Sequence, residues 1–280
     1  IKLQSAGPYL IGLSHVLKTK KFDVIHFSPS PLAINMQVVS VVSQLEKKPR
    51  VIFTPFFHSH IFDFSNPQLR IIFDTANIIH TISTSEKNDI SQRFSVNKNK
   101  IIIIPLFLDT TQMHKEETLE KGVLSFKEKY NLKSRKIILF AGIKGAAKGA
   151  VDTLFAVNSL YKKYPEYILV AIGTNTLEWE QAKKIVDPNC LLDFSYKTGK
   201  QKEVLFAACD IFCMPSKSES FGLVYLEAWH KKKPVIAADT KAVKEFIGED
   251  GLFIEYGNRE QIMKTILSLD KKKATAKKGY

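Results

Sequence analysis

Short apolar runs alternate with longer amphipathic stretches along most of the chain. Residues 23–27 (DVIHF), 50–54 (RVIFT), 77–82 (NIIHTI) and 101–104 (IIII) read as short buried strands, each closed by Pro, Ser or a polar turn. Between them the spacing predicts helices over 8–18, 32–45, 67–74 and 85–94, the last with Ser85 as its N-cap and Glu86 in its first turn. From 106 to 121 the periodicity is lost and charge rises, which predicts a linker. The pattern then restarts with a helix to 130, strand 136–140, a Gly-rich loop and helix 150–164. Strand 167–172, helix 178–186, strand 190–194 and helix 201–209 follow. Strand 211–214 leads through a polar turn into an amphipathic helix, then to a strand behind Pro234, strand 251–254 and helix 259–267. Strands alternating with helices predict two α/β domains, 1–115 and 116–270, each a doubly wound parallel sheet, with a basic, disordered tail at 271–280. Two such domains in tandem are expected to turn their strand-end loops toward a shared cleft.

Composition narrows the class. The chain has 280 residues, enough for two cores, and no run approaches the length of a membrane-crossing helix. Three cysteines, Cys190, Cys209 and Cys213, lie in or beside apolar segments and read as buried, reduced thiols of a cytoplasmic protein. The formal charge is +13, part of it in Lys271–Lys273 and Lys277–Lys278 and part in Lys231–Lys233. Such a balance fits an anionic membrane surface, a phosphorylated substrate or a solvated lysine-rich surface. The aromatic-interleaved basic motifs of nucleic-acid modules do not occur, so nucleic acid is not an expected partner.

The stretch Pro215-Ser216-Lys217-Ser218-Glu219-Ser220-Phe221-Gly222-Leu223-Val224-Tyr225-Leu226-Glu227-Ala228 holds the most specific chemistry. A strand runs into a turn carrying Glu219, a helix begins at Gly222, and Glu227 follows on the helix. Eight residues would separate the carboxylates by about 12 Å along a helix axis, far enough to hold two ends of one elongated ligand. The free N–H groups at the start of that helix can face a phosphate or sugar. The loop Ala141-Gly142-Ile143-Lys144-Gly145-Ala146-Ala147-Lys148-Gly149 lacks the Gly-Lys-Ser/Thr of a P-loop and the Gly-x-Gly-x-x-Gly of a dinucleotide fold. It reads either as a flexible loop carrying Lys144 and Lys148 to a diphosphate, or as a plain turn with solvated lysines. His58 and His60 follow the second strand, but no Cys or acidic cluster supports a metal site there, and no metal is expected. His26 and His80, inside strands, read as packed core residues. Lys231–Lys233 complement a helix C-terminus.

These residues resemble a known family. The Glu-x7-Glu spacing of Glu219 and Glu227, with the flanking Pro215-Ser216 and Pro234-Val235-Ile236, is similar to the C-terminal domain of the family-4 glycosyltransferases, the glycosyl transferases group 1. Lys148-Gly149 after Phe140-Ala141-Gly142, Asp210–Ser216 and Ala242-Val243-Lys244-Glu245 support it, and in the first half so do Phe22–His26, the His58 loop, Ile82–Ser85 and Ile104-Pro105-Leu106. The resemblance implies the GT-B fold of two Rossmann-like domains, the N-terminal one on the acceptor side and the C-terminal one binding the nucleotide sugar, and a retaining transfer of a sugar from a nucleotide-sugar donor without metal or other cofactor. It implies that Glu219 contacts donor-sugar hydroxyls and that Phe221, Gly222 and Leu223 offer backbone N–H groups. Glu227 would bind the ribose, Lys148 the diphosphate beside Gly142, and His58 would lie at the donor–acceptor junction.

The sequence also departs from the family. Ile143 stands where Arg is usual, with Lys144 as the substitute; Ser220 replaces a Gly; and His230–Lys233 replace a small-residue stretch. The first strand, the Gly-rich acceptor loop and a returning C-terminal helix are not found, so the N-terminal domain is expected to be incomplete. Two readings follow. One is a glycosyltransferase whose acceptor is a glycan, a lipid-linked sugar or a small molecule, at the inner face of a membrane. The other is a degenerate homologue that binds nucleotide sugar or glycan without turnover.

Overall fold

A computed structural model of the chain describes residues 9–29, 33–57, 68–217, 219 and 222–278. The chain divides into two compact units at Leu106 and Phe107.

The first unit holds one parallel sheet. Helix α1 (Leu13–Thr19) precedes β1 (Val24–Phe27), and α2 (Ala33–Ser43) precedes β2 (Arg50–Phe53). Then come α3 (Gln68–Thr75), β3 (Ile78–Thr81), α4 (Thr84–Phe94) and β4 (Ile101–Ile103). The strands lie in chain order, β1-β2-β3-β4, all parallel. Helix α2 packs on α1 and α3, and α4 packs on β3 and β4. Ile25, Val51, Phe53, Ile79 and Ile101 form the core with Phe73 and Phe94 of the helices, and Phe27 stacks on Phe53 at 4.9 Å between centroids. Successive side chains of a strand point to opposite faces. The alternate positions are less covered: Val24 is 50% and Ile102 41% exposed.

Two expectations for this unit are corrected. Ser83, not Ser85, caps α4, its side chain accepting the N–H of Glu86 at 3.0 Å. Strand β3 ends at Thr81, and Ser83-x-x-Glu86 has the spacing of a capping box. His26 and His80 are not core residues. His26 is exposed and His80 half-buried, and both side chains are hydrogen-bonded to Thr54.

The second unit opens with α5 (Glu116–Lys129), which begins inside the expected linker because Glu116 and Glu117 start a first turn suited to the helix dipole. It continues through β5 (Lys136–Ala141), α6 (Ala150–Tyr161), β6 (Tyr167–Ile172), α7 (Leu177–Lys183), β7 (Leu191–Phe194) and α8 (Gly199–Ala208). Then follow β8 (Ile211–Met214), α9 (Leu223–His230), β9 (Val235–Ala238), α10 (Lys241–Ile247), β10 (Leu252–Ile254) and α11 (Arg259–Lys278). Helix α10, capped by Thr240, is an element that its short length hides in the sequence. The tail expected to be disordered instead prolongs α11 to Lys278, consistent with the helix propensity of Lys and Ala.

The six strands of this sheet are parallel in the order β10-β9-β8-β5-β6-β7. Every residue of β6, β8 and β9 is buried, as expected for central parallel strands covered on both faces. Helix α6 packs with α7 and α11, while α8 packs with α5 and α9. From β5 the chain winds outward through β6 and β7, then returns to lay β8 on the other side of β5. The switch in winding direction lies between β5 and β8, where open α/β sheets take their ligands. Cys190, Cys209 and Cys213 are free thiols buried in this unit, and burial pushes them up to about 11, 12 and 12.

Candidate active site

Two loops meet at the switch point of the second unit. After β5, Ala146–Lys148 wind a single 3-10 turn, so the loop is ordered rather than an open strap. After β8 the chain turns at Pro215 and Ser216. Lys217 N–H donates to the Ala147 carbonyl at 2.9 Å, and the Tyr256 hydroxyl donates to the Ala146 carbonyl, also at 2.9 Å. Gly149 lets the loops touch: at φ +71, a Cβ there would stand 2.4 Å from the Pro215 carbonyl oxygen. These contacts bring Lys148 to Glu219, with Nζ 2.8 Å from Oε2 in a partly buried ion pair.

Glu219 lies ahead of helix α9, not on it, which shortens the helical path between the two carboxylates to the residues from Leu223 to Glu227. Gly222 is the N-cap at φ 71, and its missing Cβ makes room for the Tyr225 ring. Tyr225 is buried and donates its hydroxyl to the Met214 carbonyl at 2.6 Å, which ties the first turn of α9 to the end of β8. Leu223 is the first helical residue, with a partly exposed side chain. Phe221 and His58 lie outside the described residues.

One turn further on, Glu227 faces Lys202 of α8, with Nζ 2.6 Å from Oε1. Its other oxygen, Oε2, is buried and has no hydrogen-bond partner. A buried carboxylate oxygen left without a donor is unfavourable. Lys202 and Val224 also border a recess of about 240 Å³, closed by Gly142, Ile143, Gly173, Thr174, Tyr196 and Lys197. The recess is shaped by a close backbone approach, since a Cβ on Gly173 (φ +135) would lie 1.8 Å from the Gly142 carbonyl oxygen.

Lys144 is not brought to this group. Its side chain is 0% exposed, its ammonium paired with Asp193 and donating to the Phe194 carbonyl at 2.8 Å. Burial pulls the Lys144 ammonium below its ordinary range, opposed by Asp193. Burial also pushes Asp193 upward, but Lys144, Lys183 and the Trp179 N–H outweigh it and hold the carboxyl low. The Lys144 N–H donates to the Thr174 carbonyl at 2.8 Å and its carbonyl accepts the Thr176 hydroxyl at 2.7 Å, so the residue braces a wall of the recess from inside.

Sequence reasoning missed Lys202, whose signal was its place on α8, and also the role of Lys231. Lys231 is buried rather than a solvated helix-end cation, 3.1 Å from Glu203, and Glu203 also accepts from His114 Nδ1 at 2.9 Å. Among the described residues, no three His, Cys, Asp or Glu side chains gather to hold a metal ion, and no helix is long and apolar enough to cross a membrane.

The two parallel-sheet units, with a switch-point site built from lysines, carboxylates and a helix start, define a protein of the Rossmann-like GT-B class. The structural likeness is broad: a structure of Anabaena HepE with UDP-glucose superposes with a TM-score of 0.71 at 15% identity, covering 90% of this chain and 70% of that one. The E. coli trehalose-6-phosphate structure bound with UDP-2-fluoro glucose also gives 0.71, at 11% identity over 88% of this chain and 65% of that one. The family model described as glycosyl transferases group 1 matches residues 124–278, more than half of the chain. The chain belongs to the glycosyl transferases group 1. Among relatives, an uncharacterized 41.2 kDa protein in the cps region of Klebsiella pneumoniae is 27% identical over 96% of this chain and 74% of its own length. The D-inositol 3-phosphate glycosyltransferase of Corynebacterium urealyticum is 24% identical over 66% of this chain, and the matched part spans 46% of that relative.

Proposed function

We propose that the chain is a glycosyltransferase that moves a sugar from a nucleotide-sugar donor to a glycan, lipid-linked or small-molecule acceptor, with retention of configuration. The observation that carries this reading is the unpartnered, buried Glu227 Oε2 beside the recess. A ribose hydroxyl would give that oxygen its missing donor, with the base in the recess lined by Gly173, Thr174 and Tyr196. Lys148 and the N–H groups ahead of α9 then meet the diphosphate, Gly142 gives it room, and Glu219 orients the sugar hydroxyls. Departure of a nucleoside diphosphate builds negative charge on phosphate while the sugar becomes oxocarbenium-like; fixed cations stabilise the first and carboxylates the second. The Lys148–Glu219 pair holds both groups in place before the donor arrives. By the family resemblance, His58 would serve the acceptor. No cofactor beyond the donor enters this scheme.

The test is release of nucleoside diphosphate from a panel of nucleotide sugars. Glu219→Ala and Lys148→Ala are expected to lower the rate by about a hundredfold or more. Binding without release, unchanged by either substitution, would sink the reading. One observation favours a non-catalytic binding module instead: with Ile143 in place of Arg and Lys144 turned inward, the phosphate end holds fewer cations than the family pattern implies.

A cytoplasmic place agrees with the three free thiols. Peripheral association with an anionic membrane is supported by a groove of about 720 Å³ in the first unit, where Lys18, Lys20, Lys21, Lys47, Lys48 and Arg50 outnumber Asp23 and Glu46. Co-sedimentation with phosphatidylglycerol vesicles, lost with phosphatidylcholine alone, is the expected result.

A further inference from the structure

The first unit contains a chain of hydrogen bonds that the donor site does not use. His26 lies in β1, Thr54 follows β2, His80 lies in β3 and Ile104 follows β4, so the chain crosses all four strands near their carboxyl ends. His26 Nε2 is 2.8 Å from Thr54 Oγ1, that oxygen is 3.0 Å from His80 Nδ1, and His80 Nε2 is 2.8 Å from the Ile104 carbonyl oxygen.

Chemistry gives this chain one direction. A carbonyl oxygen only accepts, so His80 Nε2 carries its hydrogen. In the neutral ring Nδ1 is then the lone pair, and the Thr54 hydroxyl must donate to it. With its hydrogen spent there, Thr54 Oγ1 can only accept from His26, so His26 Nε2 carries a hydrogen as well. The lone pair of His26 is therefore left at Nδ1. Thr54 is 3% exposed and His26 is exposed, so the chain runs from a buried centre to an open end. Among the described residues, nothing hydrogen-bonds to His26 Nδ1.

We infer that His26 Nδ1 is a hydroxyl-binding site of the first unit, its lone pair held in one tautomer by Thr54 and His80, and that the hydroxyl it takes belongs to the sugar acceptor. This rests on the reading of the chain as a glycosyltransferase whose first unit takes the acceptor. Three features carry it. The site lies at the carboxyl ends of parallel strands, where open α/β sheets bind ligands. A sugar hydroxyl needs a fixed acceptor to be held in one orientation, and a free imidazole interconverting between tautomers offers none. The strands themselves need no such tie, because β1, β2 and β3 are already joined by parallel ladders.

The experiment uses the full chain with ¹⁵N-labelled histidine, long-range proton–nitrogen spectra, and His26→Gln to identify the His26 signals among the seven histidines. His26 is expected as the Nε2–H tautomer. Methyl α-glucoside, α-mannoside and α-galactoside are the probes, and at least one of them is expected to move the His26 Nδ1 resonance upfield, the direction of a newly accepted hydrogen bond. Thr54→Val is expected to return His26 to mixed tautomers and weaken the sugar response about tenfold, the worth of one hydrogen bond. Thr54→Ser, which keeps the hydroxyl, is expected to behave as the native chain and covers the case in which the valine variant fails to fold. An Nδ1–H tautomer, an Nδ1 signal that none of the three sugars moves, or an undiminished response in Thr54→Val would each overturn the inference. Donor hydrolysis measured on the same preparation separates the two readings. Hydrolysis that depends on Glu219, with an unmoved Nδ1, removes this inference alone.

Discussion

Two carboxylates, Glu227 and Glu86, meet different partners. Glu227 holds one oxygen on Lys202 and leaves the other buried and unpartnered, the oxygen proposed above to take a ribose hydroxyl. Glu227→Ala is expected to weaken binding of the nucleoside diphosphate that the donor panel identifies about tenfold to a hundredfold by calorimetry, the range for a hydrogen bond to a charged group, while the donor's turnover rate changes far less than its KM. Glu86 is filled on both oxygens, accepting the N–H groups of Phe57 and Ile82, and holds the loop after β2 to the start of α4. Burial drives its carboxyl upward to about 7 from an ordinary 4.5, against the pull of those two donors. Across that window the unfolded chain releases this proton before the folded chain does, so stability falls as pH rises from 4.5 to 7. The loss is about 3 kcal/mol, and hydrogen exchange of the first unit should show it in the native chain and not in Glu86→Gln.

Helix α9 shows what a short element needs. Its eight residues are anchored by Gly222 at the head and Tyr225 one turn in, and neither can change alone. Gly222→Ala places a Cβ against the Tyr225 ring in a left-handed backbone, and denaturant melts should report a loss of about 1–3 kcal/mol. Most of the strand–helix alternation was legible in the sequence, because apolar runs bounded by Pro and Gly have few other uses. Glu219 and Lys148 were singled out through their motifs, but the ion pair between them was not legible, because it joins the loops after two different strands. The inward turn of Lys144 was not, because a lysine in a Gly-rich loop looks the same whether its partner is a phosphate or a distant Asp193. The chain through His26, Thr54 and His80 was hidden for a similar reason: it joins residues in β1, just after β2 and in β3, and register between strands is not written in any one of them. Helix α10 was lost to its length alone.

Across the whole molecule, two units with separate cores should respond separately to a ligand of one of them. The nucleoside diphosphate of its donor, at a hundred times its dissociation constant, is expected to protect slow-exchanging amides of β5, β6 and β8 by about 2.7 kcal/mol. Amides of β2 and β3 should stay where they were, and equal protection of both units would show that the two are coupled. The buried thiols make the molecule convenient for following this. A thiol reacts as its thiolate, and Cys190, Cys209 and Cys213 are both covered and held well above neutral pH. The native chain should be nearly silent to a disulfide reagent until it unfolds. A cysteine placed at exposed Ile11 in the first unit and another at exposed Leu124 in the second would then be the fast-reacting positions. Fluorophores attached there would report the distance between the units, with and without donor, on a background that the fold itself keeps dark.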